Sequence, residues 1–184
     1  TNLTIGETYW IRIYDYGSVA PSNGDFSICI THSAPQNDLC ANSTTLLSDL
    51  TCNSIRGTVN DATSDGLGIG SCDAFGGTPL EAGVFYNFNA ISNEHTVTVT
   101  PTTNSTLDAV VVIYSGADCN NLTEFDCLDA PGTGTVAITN ATYTPGQTYW
   151  VRVYDYGSVG PSNGNFDICV THTGEPDIVI QDMY

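Results

Sequence analysis

The chain has no lysine. Its only cations among side chains are Arg12, Arg56 and Arg152, set against 20 Asp and Glu, for a formal net charge of −17 over 184 residues. Such a surface repels nucleic acid and anionic lipid, because phosphate binding needs lysine and arginine to displace counterions. Charge of either sign is scarce, at 12% of residues, about half the usual share. There is no apolar run of membrane length, so no membrane insertion is expected. No signal peptide is visible, and the opening TNLTIGE reads as the cut edge of a longer secreted protein. The seven cysteines include no CxxC pair, and His32, His95 and His172 are scattered. That argues against zinc, which wants close pairs of soft ligands, and for disulfides in an oxidising compartment. HExxH, GxSxG and P-loop motifs are absent, as is a Cys–His nucleophile pattern. No enzyme is expected. Carboxylate pairs carry no information in a chain this acidic.

What is present is a duplication. Residues 4–33 and 144–173 align at an offset of 140, and only nine of the 30 positions differ. The shared core reads TYWIRIYDYGSVAPSNGDFSICITH in the first copy and TYWVRVYDYGSVGPSNGNFDICVTH in the second. A period near 140 is too long for a solenoid unit and suits a whole domain. Three segments follow. Residues 1–33 are the C-terminal part of a first repeat, and 34–174 are a complete second repeat. Residues 175–184 (EPDIVIQDMY) match neither copy and read as the first strand of a following domain. Residues 1–33 supply about two strands. These should pair with a missing first half of their own module or with another copy of the chain, since lone strands with apolar faces are unstable.

Alternating or continuous apolar runs predict strands at 95–100, 108–114, 135–139, 148–156 and 165–171, separated by Gly, Asn, Asp, Pro and Ser. No segment has a helical period. The predicted fold is all-β, an antiparallel β-sandwich of jelly-roll type in tandem repeats.

The order of motifs carries a resemblance. APQNDLCAN is followed by CNSIRGTVNDATSD and VFYNF, then LDAVVVIYSGADCNNLTEFDC, TPGQTYWVRVYDYG and NFDICVTH. This order resembles the tandem β-sandwich repeats of Bacteroidetes-type surface proteins exported by type IX secretion, which are similar to the bacterial pre-peptidase C-terminal domain. The tail PDIVIQDMY resembles the opening strand of CARDB-type immunoglobulin-like modules. The resemblance implies a non-catalytic binding or adhesion repeat, extracellular or on a bacterial cell surface, with neighbouring repeats of the same chain beside it. It also allows an accessory module of a secreted protease or glycoside hydrolase, or a pure spacer. Calcium is the implied cofactor, and a polysaccharide or an extracellular protein surface the implied partner.

Candidate calcium ligands follow from the resemblance and from loop oxygen chemistry. Asn37 and Asp38 stand where related domains place metal ligands. Asp61 and Asp65, in the loop NDATSDG, are suited to complete the site, with Glu81 as a further ligand. A second set is Asp126 and Asp129, with Asp108 near them. The same residues also suit Asx turns and strand ends. Here the sequence departs from the family pattern: Ala82-Gly83 replaces the usual acid before the aromatic strand, and the acidic run after Cys127 is thinned.

On the strand at 148–156 the side chains alternate. Tyr149, Val151, Val153 and Asp155 share one face, and Trp150, Arg152, Tyr154 and Tyr156 the other. The second row is either a ligand-binding face that stacks on sugars or cross-strand packing around an arginine with an acidic partner inside the fold. The repeated loop DYGSVGPSNG is either a binding surface or a hairpin connection. For the cysteines, Cys119–Cys127 and Cys52–Cys72 are plausible bridges. Cys40 pairs either with Cys29, across the joint between modules, or with Cys169. Sequence does not decide connectivity. The five glycosylation sequons, Asn42 and Asn121 among them, fit chance in so Asn- and Thr-rich a chain.

Overall fold

The computed structural model describes residues 8–29, 34–77 and 79–174. Internal contacts divide the chain into two units, Thr1–Thr31 and His32–Tyr184. The predicted strand at 175–184 lies outside the described residues.

In the second unit the described residues form a 3₁₀ turn, Cys40–Asn42, and ten strands. They are β1 (Thr44–Thr45), β2 (Ser48–Asp49), β3 (Ile55–Thr58), β4 (Gly83–Asn89), β5 (His95–Pro101), β6 (Ala109–Gly116), β7 (Leu122–Asp129), β8 (Val136–Asn140), β9 (Thr148–Asp155) and β10 (Asn165–His172). Two sheets result. One runs β1-β4-β9-β6-β7, the other β2-β10-β5-β8, with β3 also on β10. The fold is an all-β sandwich. Pairing is antiparallel except at two short edges, where β1 lies parallel to β4 and β2 parallel to β10. The chain between these edges crosses from one sheet to the other, and Leu46, at the crossing, is buried in the core.

Periodicity explains which face each strand buries. β5 (HTVTVTP) alternates buried and partly exposed residues, as a strand with one covered face should. Its Val97 and Val99 meet Val136 and Ile138 of β8 and Ile168 and Val170 of β10 in the core. From the other sheet come Val84, Tyr86 and Phe88 of β4, Val111 and Ile113 of β6, and Tyr149, Val151 and Val153 of β9. Each such side chain, fully buried, contributes about 1.5–3 kcal/mol.

β6 does not alternate, because both of its faces are covered. Val110, Val112 and Tyr114 turn away from the main core and form a second buried cluster with Trp150 and Tyr154 of β9. The cover is the segment between β3 and β4. Ile69 and Cys72 of that segment pack on the cluster. Gly70 comes so close that a Cβ there would meet Val112 Cγ2 and Cys127 Sγ at 2.6 Å. Only glycine fits this approach.

Three disulfides hold the unit: Cys40–Cys119, Cys52–Cys169 and Cys72–Cys127. None is a pairing weighed from the sequence. Cys119–Cys127 fails because Cys119, in the turn before β7, is bridged to Cys40, and Cys127, within β7, to Cys72. Cys52–Cys72 fails because the two sit on opposite sides of the sandwich. Cys72 packs on the outer face of β6 and β9, whereas Cys52 bonds to Cys169 of β10 in the other sheet. Cys169 therefore has its partner within the repeat, and Cys29 is a free, exposed thiol.

In the first unit, residues 8–29 contain no strand. Their near-identical copy forms β9 and β10. β9 is flanked by β4 and β6, and β10 by β5 on one side and β2 and β3 on the other. Strand-forming residues without neighbours to hydrogen-bond do not make a sheet.

Candidate functional site

For the aromatic row of β9 the sequence leaves two readings, a ligand-binding face or cross-strand packing, and the structure buries most of the row. Trp150, Arg152 and Tyr154 are buried, and Tyr156 is partly so. The covering segment is bonded to the row along its length. The Tyr154 hydroxyl accepts from the Gly70 N–H at 2.9 Å and donates to Asp73 Oδ2 at 3.0 Å. Phe75 stacks edge-on against Tyr156, with ring centroids 5.4 Å apart. The Ser71 N–H donates to Glu124 Oε2 of β7 at 3.1 Å. This face is a packed second core and not an open sugar platform.

Arg152 is the centre of that arrangement. Its guanidinium donates through Nη1 to the Gly68 carbonyl at 2.5 Å and through Nη2 to the Glu81 carbonyl at 2.7 Å. Nε lies 2.7 Å from Asp65 Oδ2 in an ion pair buried on both sides. The same guanidinium sits 4.7 Å from the centre of the Tyr154 ring. The acidic partner expected inside the fold is thus Asp65. Burial raises the Asp65 pKa and the Arg152 charge lowers it, and burial dominates.

The proposed calcium ligands fall into four places. Asn37, Asp38, Asp65 and Glu81 gather near the Phe85–Arg152 pair of β4 and β9. Asn37 Nδ2 donates to the Phe85 carbonyl at 2.9 Å, and its own carbonyl accepts from the Phe85 N–H at 2.7 Å. The Asp38 carboxylate takes the Thr63 N–H at 2.6 Å and the Thr63 hydroxyl at 2.5 Å. Asp65 is held by Arg152, and Glu81 offers its backbone carbonyl to the same side chain. Asp38 and Asp65 are therefore occupied by protein donors. Asp61, exposed, stands in the left-handed region at φ 56°, a conformation Asp tolerates in turns.

Asp126 and Asp129 do not form one site. Three residues apart on a strand, they point to opposite faces. Asp126 pairs across from Ile113 of the inner core and accepts from Asn140 Nδ2 at 2.9 Å. Asp129 pairs across from Val110 of the outer cluster. There it feels the charges of Asp108 and Asp73, which add to burial in raising its pKa. Asp155, at the end of β9, accepts from the Asp108 N–H at 2.8 Å. Burial pushes its carboxyl up to about 6; the Asp108 N–H opposes this and the Asp108 charge adds to it. Asp73, Asp108, Asp129 and Asp155 thus make an acidic end to the sandwich. Sequence reasoning missed Asp73 and Asp155, because their approach depends on the covering segment and on the register of β9 with β6. Among the described residues no three His, Cys, Asp or Glu side chains are placed so as to hold a metal ion.

The repeated loop after β9 is not a hairpin connection. It carries the chain from one sheet to the other, and Val159 at its tip is exposed. His95, scattered by sequence, proves to be fully buried among aromatic rings, including Phe88 and Tyr143. Its Nε2 accepts the Ile91 N–H at 3.0 Å, which fixes the neutral ring. Burial, then the charge of His172, lowers its pKa to about 4.

No family model matches the chain, and no curated protein matches it. Among solved structures, the pre-peptidase C-terminal domain of a collagenase from Bacillus anthracis is similar over 70% of this chain and 95% of that chain, at 15% identity and a TM-score of 0.39. At that distance the sandwich rests on this chain's own strands and disulfides.

Proposed function

We propose that the chain is a non-catalytic repeat module of a modular secreted or cell-surface protein, which binds a neutral polysaccharide or an extracellular protein through its loops. One observation carries the reading. The block that has been duplicated supplies, in its complete copy, an interior strand to each sheet. What is copied is scaffold together with the loop between its two strands, and not a cleft. Three disulfides suit an oxidising exterior. The net charge of −17 disfavours anionic partners. With the β9 row covered, the ligand surface in this reading is the loop between β9 and β10, whose sequence both copies keep except for Ala20 against Gly160.

The test is binding of the 184-residue chain to immobilised polysaccharides and to collagen, with calcium and with chelator. Saturable binding, weakened by Val159→Asp in a chain with unchanged thermal unfolding, supports the module as adhesive. Absence of binding under both conditions overturns that reading and leaves a spacer. Binding only with calcium would bring a cation into the interface.

A further inference from the structure

The geometry points to a partner for residues 8–29: the body of another repeat of this same type, equivalent to residues 34–143 and lacking its own last two strands. In this arrangement 8–29 fills the slots of β9 and β10, and Cys29 forms a disulfide with that body's counterpart of Cys52. The inference stands independently of any ligand.

The second copy shows what the first needs. Trp150 is 8% exposed and Trp10 92%; Tyr154 is 1% and Tyr14 73%; Ile168 is 0% and Ile28 56%. Ile11, Ile13 and Phe26 are likewise exposed where Val151, Val153 and Phe166 are buried. These differences lie at positions that are identical or conservatively exchanged. A run of exposed apolar and aromatic side chains this dense marks an interface. Two polar positions specify which interface. Arg152 is wholly buried against Asp65 and two carbonyls of the covering segment, whereas Arg12 is exposed and lies 5.3 Å from the centre of its neighbouring ring, Tyr14. A body of the same repeat type offers that buried carboxylate. Cys169 is bridged to Cys52, whereas Cys29 is free. Apolar pattern, cation and thiol therefore all fit one occupant.

A second copy of this chain does not supply an empty slot. Its own β9 and β10 occupy interior positions in the two sheets, and Cys52–Cys169 locks β10 in place. The body that fits must present its Cys52 counterpart unpaired. Bridge formation then joins two thiols and releases two electrons and two protons to an oxidant of the disulfide or dioxygen class, as for the bridges within 34–174.

The experiment extends the 184-residue chain upstream with a copy of residues 34–143 joined to Thr4, which preserves the repeat offset. The expected results are loss of the maleimide-reactive thiol at Cys29, a mapped peptide linking Cys29 to the added Cys52 counterpart, and slow amide exchange across 8–29 like that across 148–169. The existing 34–174 unit, with its own three disulfides, is the internal control for expression and oxidation. Should Cys29 stay reactive and 8–29 exchange freely, the inference is overturned, whether or not the added body folds. A Cys29–Cys29 dimer in the extended chain would overturn it equally, in favour of self-association.

Discussion

Arg152 joins three parts of the sandwich at one side chain: its own strand, the covering segment at Asp65 and Gly68, and the approach to β4 at Glu81. A buried ion pair adds little over an apolar pair, but breaking one side of it leaves a buried charge without compensation. Arg152→Leu is expected to lower stability by about 3–5 kcal/mol. Adding Asp65→Asn should recover part of that loss, and a double-mutant cycle by urea denaturation measures the coupling. Full additivity of the two changes would show that the pair is not coupled.

Two buried titrating groups pull the pH profile in opposite directions. The Asp155 carboxyl, raised to about 6 when folded, binds protons more readily in the native state than in the unfolded one. Its favourable contribution is complete below about pH 4 and is lost as pH rises through 6. The neutral His95 ring, lowered to about 4, contributes above its ordinary value near 6.5, and that contribution is lost as pH falls through 4. The wild-type profile mixes both. Asp155→Asn keeps the acceptor for the Asp108 N–H and removes the charge beside Asp108. At pH 7 the variant should be more stable by about 1–2 kcal/mol, with the gain vanishing toward pH 4. A gain that does not change with pH would count against burial and repulsion as its cause.

At the scale of elements, the segment between β3 and β4 decides what the β9 row is. Cys72–Cys127 fastens it to β7. Replacing both cysteines by serine is expected to lower stability by about 2–5 kcal/mol and to move Trp150 toward solvent. Because the other tryptophan, Trp10, is already exposed, a red shift in intrinsic fluorescence would report Trp150. An unchanged spectrum would mean that the hydrogen bonds from Gly70 and Ser71 hold the cover unaided. Five of the ten strands were legible, and β1, β2, β3, β4 and β7 were not. Alternation placed β5, β8, β9 and β10 nearly to the residue, and the unbroken run VVVIY marked β6. The division of β9 into two faces was legible for the same reason, since strand period is a local property. The cover was not. A Gly- and Asp-rich stretch such as NDATSDGLGIGSCDAFGG reads as loop or as metal site from composition alone. Only its route across β6 and β9 commits Asp65 to Arg152 and Asp73 to Tyr154.

At the scale of the whole molecule, the cysteines were legible as disulfide-formers but not as pairs. Sequence reasoning weighed short loops first, yet the observed bridges span 79, 117 and 55 residues. Closing spans this long stabilises the fold by about 4–5 kcal/mol each in the chain-entropy model. The duplication was legible in full, while the difference in state between its copies was not, because the sequence of a strand does not contain its neighbours. The bridges also overlap. The span from Cys40 to Cys119 encloses Cys52, and the span from Cys52 reaches Cys169. Any single backbone cleavage between Cys40 and Cys169 therefore falls inside at least one closed ring. With no lysine in the chain and Arg152 buried, a trypsin-like protease meets Arg56 as the one exposed site of that interval. A cut there leaves both fragments joined through Cys40–Cys119 and Cys52–Cys169, so the nicked repeat stays one covalent body.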